Sequence, residues 1–127
     1  METAKLFFAA GSALGFFSVA FGAFGAHALK NHLDSYFLSV FKTGVEYQFY
    51  HALALLALGV LSSMGSSAFV KWSGICFIVG TVFFSGSLYL LALSRVKMWG
   101  AVTPMGGVFF LVGWLLLLVG SLRGALR

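Results

Sequence analysis

Charge is what this sequence has least of. Only 9% of its 127 residues are Asp, Glu, Lys or Arg, against about 25% in an ordinary soluble domain. So few charges cannot coat a water-facing surface around a chain that is 61% hydrophobic, and a mean hydropathy of +1.02 places the chain in a lipid bilayer. Strand-type alternation of polar and apolar residues is missing as well. Peptide groups left unpaired in lipid are costly, so a span must be a helix or part of a closed barrel, and here only helices fit. One cysteine, Cys76, excludes an intrachain disulfide and any CxxC redox or metal motif. The eight Lys and Arg residues give a formal charge of +5 but stand singly. Without a basic run there is no phosphate-binding stripe, so membrane flanks explain them better than nucleic acid does. A paired nucleophile and base, a Gly-rich phosphate loop, an acidic dyad and an HExxH metal motif are all lacking. No metal, cofactor or catalytic residue is therefore expected.

What the chain does contain is four long apolar runs, at about 6–28, 44–63, 70–93 and 103–122. Each can cross a hydrocarbon layer of about 30 Å at about 1.5 Å per residue. The first could pass for a signal peptide, but Leu6 to Ala26 is longer than the usual core of about 7 to 15 residues. It reads as a retained span. Short connections predict antiparallel neighbours, so the expected fold is all-α: one four-span membrane domain over residues 1–127, an antiparallel bundle. The longest connection sets Leu33, Tyr36, Phe37, Val40 and Phe41 on one stripe opposite His32, Ser35, Ser39 and Lys42. This pattern predicts a short amphipathic helix over about 31–42, lying in the membrane interface between spans 1 and 2. The single proline, Pro104, opens the fourth span with Thr103 as its cap.

Small residues recur along three spans. Gly11, Gly15, Ser18, Gly22 and Gly25 repeat at alternating fours and threes, while Ser73, Gly80, Ser87 and Gly106, Gly113, Gly120 repeat at seven. Such seams let helix backbones approach in lipid. Packing within the bundle is the plainer reading, and a dimer face the sharper one. Lys and Arg counts tie, with Lys30, Lys42, Arg95 and Lys97 on one side and Lys5, Lys71, Arg123 and Arg127 on the other. Only the free amino terminus tips the balance toward cytoplasmic termini.

Polar residues gather toward one leaflet. His27 closes the first span; Glu46, Tyr47, Gln48, Tyr50 and His51 occupy the first turns of the second; Ser85, Ser87 and Tyr89 lie in the third; Thr103 opens the fourth. An ionisable group there should face the bundle interior and find a partner. Three readings compete for Glu46 and His51. They belong to an internal hydrogen-bond network with Ser87 or Tyr89, to a ligand-binding or proton-coupled site, or, with His27, to a metal site lacking any recognised spacing.

Four motifs in order carry a resemblance: Gly22-Ala-Phe-Gly-Ala-His27-Ala-Leu29, Thr43-Gly-Val-Glu46-Tyr-Gln48-Phe-Tyr-His51-Ala-Leu-Ala, Phe84-Ser-Gly-Ser-Leu-Tyr-Leu-Leu-Ala-Leu93, and Thr103-Pro-Met-Gly-Gly107 followed by Gly113-Trp114. The chain resembles, over essentially its whole length, the family called domain of unknown function 423, also catalogued as uncharacterised protein family 0382. These are small bacterial inner-membrane proteins with a eukaryotic relative. The resemblance implies four spans and an inner-membrane location; the family name carries no activity. Its motif residues coincide with the polar cluster. The favoured expectation is a non-enzymatic bundle that binds a lipid headgroup, a small ligand or a partner membrane protein through His27, Glu46, Gln48, Tyr50, His51, Ser85, Ser87, Tyr89 and Thr103. The alternative is a small proton-coupled transporter working as a homodimer, with both insertion orientations in play. An enzyme acting on a lipid or quinone stands third.

Overall fold

A computed structural model describes residues 2–65 and 67–127. Among these, four helices are long and apolar enough to cross a membrane, and no strand occurs. Helix α1 covers Glu2–Leu29, α2 Ser35–Met64, α3 Ala68–Ser94, and α4 Thr103–Leu122, the last preceded by a 3-10 turn at Lys97–Ala101.

Helix ends follow local chemistry. Asp34 caps α2, its carboxylate accepting from the Phe37 N–H at 2.9 Å, and Ser67 caps α3 by accepting from the Val70 N–H. Pro104 sits in the first turn of α4, where a missing N–H costs nothing. Arg95 ends α3 in the left-handed region at φ 59°, its N–H bonded to the Leu91 carbonyl. Its guanidinium reaches across to the His32 carbonyl at 2.7 Å and so ties two connections together. Beyond α4 the chain turns at Gly124, φ 63°, and folds back so that the Ala125 carbonyl accepts from the Ser67 hydroxyl.

Two features depart from the sequence reading. The separate interfacial helix expected over 31–42 does not form. From Ser35 onward those residues are the first turns of α2 itself, which runs unbroken for 30 residues, about 45 Å and so longer than the hydrocarbon layer. Asp34 supplies a start signal and nothing between Ser35 and Gly44 breaks the helix. Most of the apolar stripe that suggests a lipid surface instead packs on protein: Leu33 and Phe41 are buried with Ala26 against Phe21 and Leu29 of α1, while Tyr36 stays 60% exposed. The second departure lies within α1, where Ala20–Gly25 forms a π-helical turn and the Ala26 N–H reaches the Phe21 carbonyl, five residues back. Gly22 and Gly25 let this widened turn lie close to α2: an added Cβ would stand 3.2 Å from Val45 or 3.3 Å from Phe41, tighter than ordinary contact.

Helices pack in chain order, α1 on α2, α2 on α3 and α3 on α4. Contacts descend along one helix as they ascend the next: Gly11 meets Ala52 and Gly25 meets Phe41; Gly80 meets Phe110 and Gly120 meets Phe69. Neighbours therefore run in opposite directions. Beneath them lies a core of Phe7, Leu55, Leu58, Val70, Phe77 and Phe110. The two seven-residue seams face each other, with Ser73 bonded to the Gly113 carbonyl at 2.8 Å and Ser87 to Thr103 at 2.6 Å. At Gly106 a Cβ would fall 2.3 Å from the Phe84 nitrogen, a backbone atom that no rotamer change can move aside; at Gly107 it would meet nothing within 4 Å. Gly106→Ala is therefore expected to destabilise the protein in detergent by at least about 2 kcal/mol, and Gly107→Ala by no more than about 0.5 kcal/mol. Equal thermal unfolding of the two variants would contradict this helix spacing.

Candidate functional site

The polar residues predicted to share one pocket divide between the interior and the outside of the bundle. Inside, each buried side chain bonds to an atom of the chain itself, and among the described residues no buried polar side-chain atom lacks a partner. Gln48 joins three helices: its amide N–H donates to the Leu14 carbonyl of α1 at 2.9 Å, and its oxygen accepts from the Tyr89 hydroxyl of α3 at 2.7 Å. Leu14 can accept a side-chain bond because its carbonyl oxygen has a second lone pair, and the Ser18 hydroxyl also binds it, at 2.7 Å. Phe21 and Phe41 wall the Tyr89 ring, with centroids 5.5 and 5.3 Å away. One turn along, the Ser85 hydroxyl donates to the Gly44 carbonyl at 2.6 Å. That approach is possible because Gly44 has no Cβ; one added there would lie 2.8 Å from the Tyr89 ring.

His51 is buried and faces α4, away from Gln48's partners. Its Nδ1 lies 2.7 Å from the Tyr47 carbonyl, and its Nε2 lies 3.1 Å from the Trp114 indole nitrogen. A carbonyl only accepts and an indole N–H only donates, so the partners assign the hydrogen to Nδ1 and occupy the Nε2 lone pair. The imidazole also stacks on Phe110 with centroids 3.7 Å apart and planes 5° from parallel, while Phe77 presents an edge at 5.0 Å. This is a closed aromatic setting that fixes α2 against α4. Trp114 enters the sequence reading only within the Gly113-Trp114 motif; a tryptophan offers no sequence signal for which base its indole will meet.

His27, Glu46 and Tyr50 lie outside this interior. All three are exposed, Tyr50 by 53%. Glu46 and His51 project from different sides of α2, so the structure does not bring together the carboxylate and imidazole that a shared proton site would use. Nor do His27, Glu46 and His51 converge; among the described residues no three His, Cys, Asp or Glu side chains do. Of the nine candidates, the structure thus joins Gln48 with Tyr89 and Ser87 with Thr103. It anchors His51 and Ser85 separately, and turns the remaining three outward.

Glu46 instead stands where two shallow cavities meet. One, of about 410 Å³, follows the outer face of α2 past Ser39, Lys42 and Thr43. The other, about 250 Å³, lies between α1 and α2 and is lined by Ser18, Val19, Val45, Phe49 and Tyr50. Through Val19 and Phe49 the latter continues into an apolar groove of about 560 Å³, with Gly11 and Gly15 in its lining and Phe16, Phe24 and Leu53 at its sides. Gly11 also sits tightly under Ala52 and Leu56, so the GxxxG pair serves α1–α2 packing and lines a groove at once. Lys42 and Ser18 lie beside Glu46 in these cavities without belonging to the polar cluster read from the sequence, and of the two Lys42 has a sequence signal, falling one helical turn before Glu46.

A family described as "Protein of unknown function (DUF423)" matches residues 21–107. A UPF0382 membrane protein of Staphylococcus saprophyticus is 47% identical over 119 residues, covering 94% of this chain and 98% of that one. The UPF0382 inner membrane protein YgdD of Escherichia coli is 50% identical over 109 residues, covering 86% and 83%. A relative from Staphylococcus aureus is 43% identical over 121 residues, covering 95% and 98%. No solved structure matches the chain.

The three-helix junction at Gln48 is open to a direct test. Gln48→Leu and Tyr89→Phe should each lower stability, and their double-mutant cycle should show coupling of about 0.6 kcal/mol or more, up to about 1.7 kcal/mol, the mean and maximum for such bonds between helices in membranes. Strict additivity in thermal or denaturant unfolding would mean that the two side chains do not bond.

Proposed function

The chain belongs to the UPF0382 (DUF423) family of membrane proteins, and on that footing we propose that it is a non-enzymatic helix bundle that binds a membrane-embedded partner across its α1/α2 face. The observation that carries this reading is the position of Glu46. Every other acid has a local reason for its place: Glu2 starts α1, and Asp34 caps α2. Glu46 lies one turn inside Lys42, and the stretch from Lys42 to Ser63, about 31 Å of helix, is enough to cross the hydrocarbon layer. A carboxylate there is costly unless something partners it, yet none of the described residues gives it a hydrogen bond or ion pair. Exposed Leu, Val and Phe residues are ordinary on a lipid-facing surface; an unpartnered acid is not. The groove beside it, with glycines in its lining and Phe16, Phe24 and Phe49 at its sides, supplies the apolar part of a binding face.

The interior supports the same reading by offering little else. Its polar groups are spent on one another, so Gln48, His51 and Ser85 position the helices that present the face. The carrier reading needs an acid and an imidazole in one cleft, and no observation favours it.

A photo-reactive amino acid at Leu53, within this face, tests the proposal against one at Leu111, which is 71% exposed on α4. Irradiation of native membranes is expected to give a discrete protein adduct from position 53 and only diffuse lipid labelling from 111. Identical lipid-only labelling at both positions would overturn the reading.

A further inference from the structure

We propose that the partner on this face is a second copy of the chain, inserted in the same orientation and paired through α2 so that Lys42 of each copy meets Glu46 of the other. The inference rests on the binding face just described and names its occupant.

Spacing is the first argument. Glu46, Tyr50, Leu53, Ala57, Val60 and Met64 follow one another at alternating steps of four and three, and all six are exposed. That is the repeat by which two helices stay in contact along their length. It is a different stripe from the one α2 uses internally, where Gln48, His51, Leu55 and Leu58 are buried.

Charge is the second argument, and it also fixes orientation. In a pair related by a two-fold axis along the membrane normal, equal residues lie at equal depth. Lys42 and Glu46 differ in depth by one turn, about 6 Å, a gap that a lysine stem spans readily, as charged pairs do across a coiled-coil seam. Each copy then supplies the cation that the other's carboxylate lacks, twice per dimer. An inverted copy fails this condition. Turned about the middle of the Lys42–Ser63 stretch, it sets Glu46 level with Gly59 and Val60, and α2 carries no Lys or Arg anywhere from Thr43 to Met64. The surface is thus self-complementary in one relative orientation only. The tied Lys and Arg counts, which leave insertion direction open for one chain, do not make the dimer dual in topology: the two copies share whichever direction is taken.

Three measurements in native membranes test the proposal, on a background in which Cys76→Ala removes the one native thiol. Val60→Cys should couple to itself through a short bis-maleimide linker, while Leu111→Cys should not. Lys42→Glu and Glu46→Lys, each alone, gather like charges at the seam and should cut the cross-linked fraction by about tenfold, and the combined exchange should return it to near the starting level. Recovery in the exchange separates a lost contact from a misfolded chain. Absence of Val60 self-coupling, or a combined exchange as weak as either single reversal, would overturn the dimer. If a Leu53 photo-adduct persisted at a mass other than twice the chain, the binding face would stand without this occupant; if Leu53 gave no protein adduct at all, both readings would fall.

Discussion

Everything in this bundle depends on backbone meeting backbone. In water, helices are driven together by removing apolar surface from solvent, but lipid tails are as apolar as Leu or Phe, so contact between spans gains little from that source. Close approach has to supply dispersion energy instead, and it requires places without a Cβ. Gly106 against the Phe84 backbone, Gly44 against Tyr89 and Gly11 against the Ala52 carbonyl are such places. The same closeness brings carbonyl oxygens within reach of the next helix's side chains. Gly44 and Gly113 both lie at glycine contacts, and their carbonyls accept from Ser85 and Ser73. Such interhelical bonds are worth about 0.6 kcal/mol on average in a membrane, too little to hold the bundle alone. Their effect is on register, because a one-residue slide would separate each hydroxyl from its carbonyl and leave it unpaired in lipid.

The polar half of the protein is a set of register pins distributed over four helix pairs. Gln48 pins α2 to α1 and α3, Ser85 pins α3 to α2, Ser87 and Thr103 pin α3 to α4, and His51 with Trp114 pins α2 to α4. Each pin uses its donors and acceptors within the chain. This explains how residues concentrated at one depth can fail to make a pocket: common depth is not common direction, and four helices at one level point their side chains into several different seams.

The parts legible in the sequence are those set by length and by missing bulk. A run of some twenty apolar residues has few options in a bilayer, and the seven-residue spacing of Ser73, Gly80, Ser87 and of Gly106, Gly113, Gly120 marks the faces that meet. Pro104 marks a helix start for covalent reasons alone. Other features carried no readable signal. The stripe of Leu33, Phe37 and Phe41 shows only that one side is apolar, and the same pattern serves lipid or, as here, the end of α1. Asp34 was the better guide, since a cap followed by an unbroken run predicts continuation into α2. The π turn at Ala20–Gly25 differs from an α-helical turn in hydrogen-bond partner, not in composition. Pairings such as Gln48 with Leu14 were hidden because every residue has a carbonyl, and only the packed structure says which ones are approachable. Helical phase did separate Glu46 from His51, because five residues leave two side chains about 140° apart around a helix. Shared depth was the weaker criterion.

Glu46 is then the one acid of the polar cluster, and like His27 and Tyr50 it is turned away from the bundle interior. Removing Gln48 leaves the Tyr89 hydroxyl without its acceptor, and removing His51 leaves the Trp114 indole N–H without one; removing the Glu46 carboxylate leaves none of the described residues without a partner. A group that costs energy where it stands and bonds to none of the described residues is the basis for the partner face we propose. The stripe it begins runs the length of the span, and the cation one turn before it lies on the same side of α2. The inward stripe of α2 holds the four helices together, and the outward stripe, exposed from Glu46 to Met64, repeats the same alternating spacing. In the dimer we propose, a helix with two such faces joins its own bundle to another, and a charge pattern that complements itself at equal depth selects a copy of the chain over an unrelated helix.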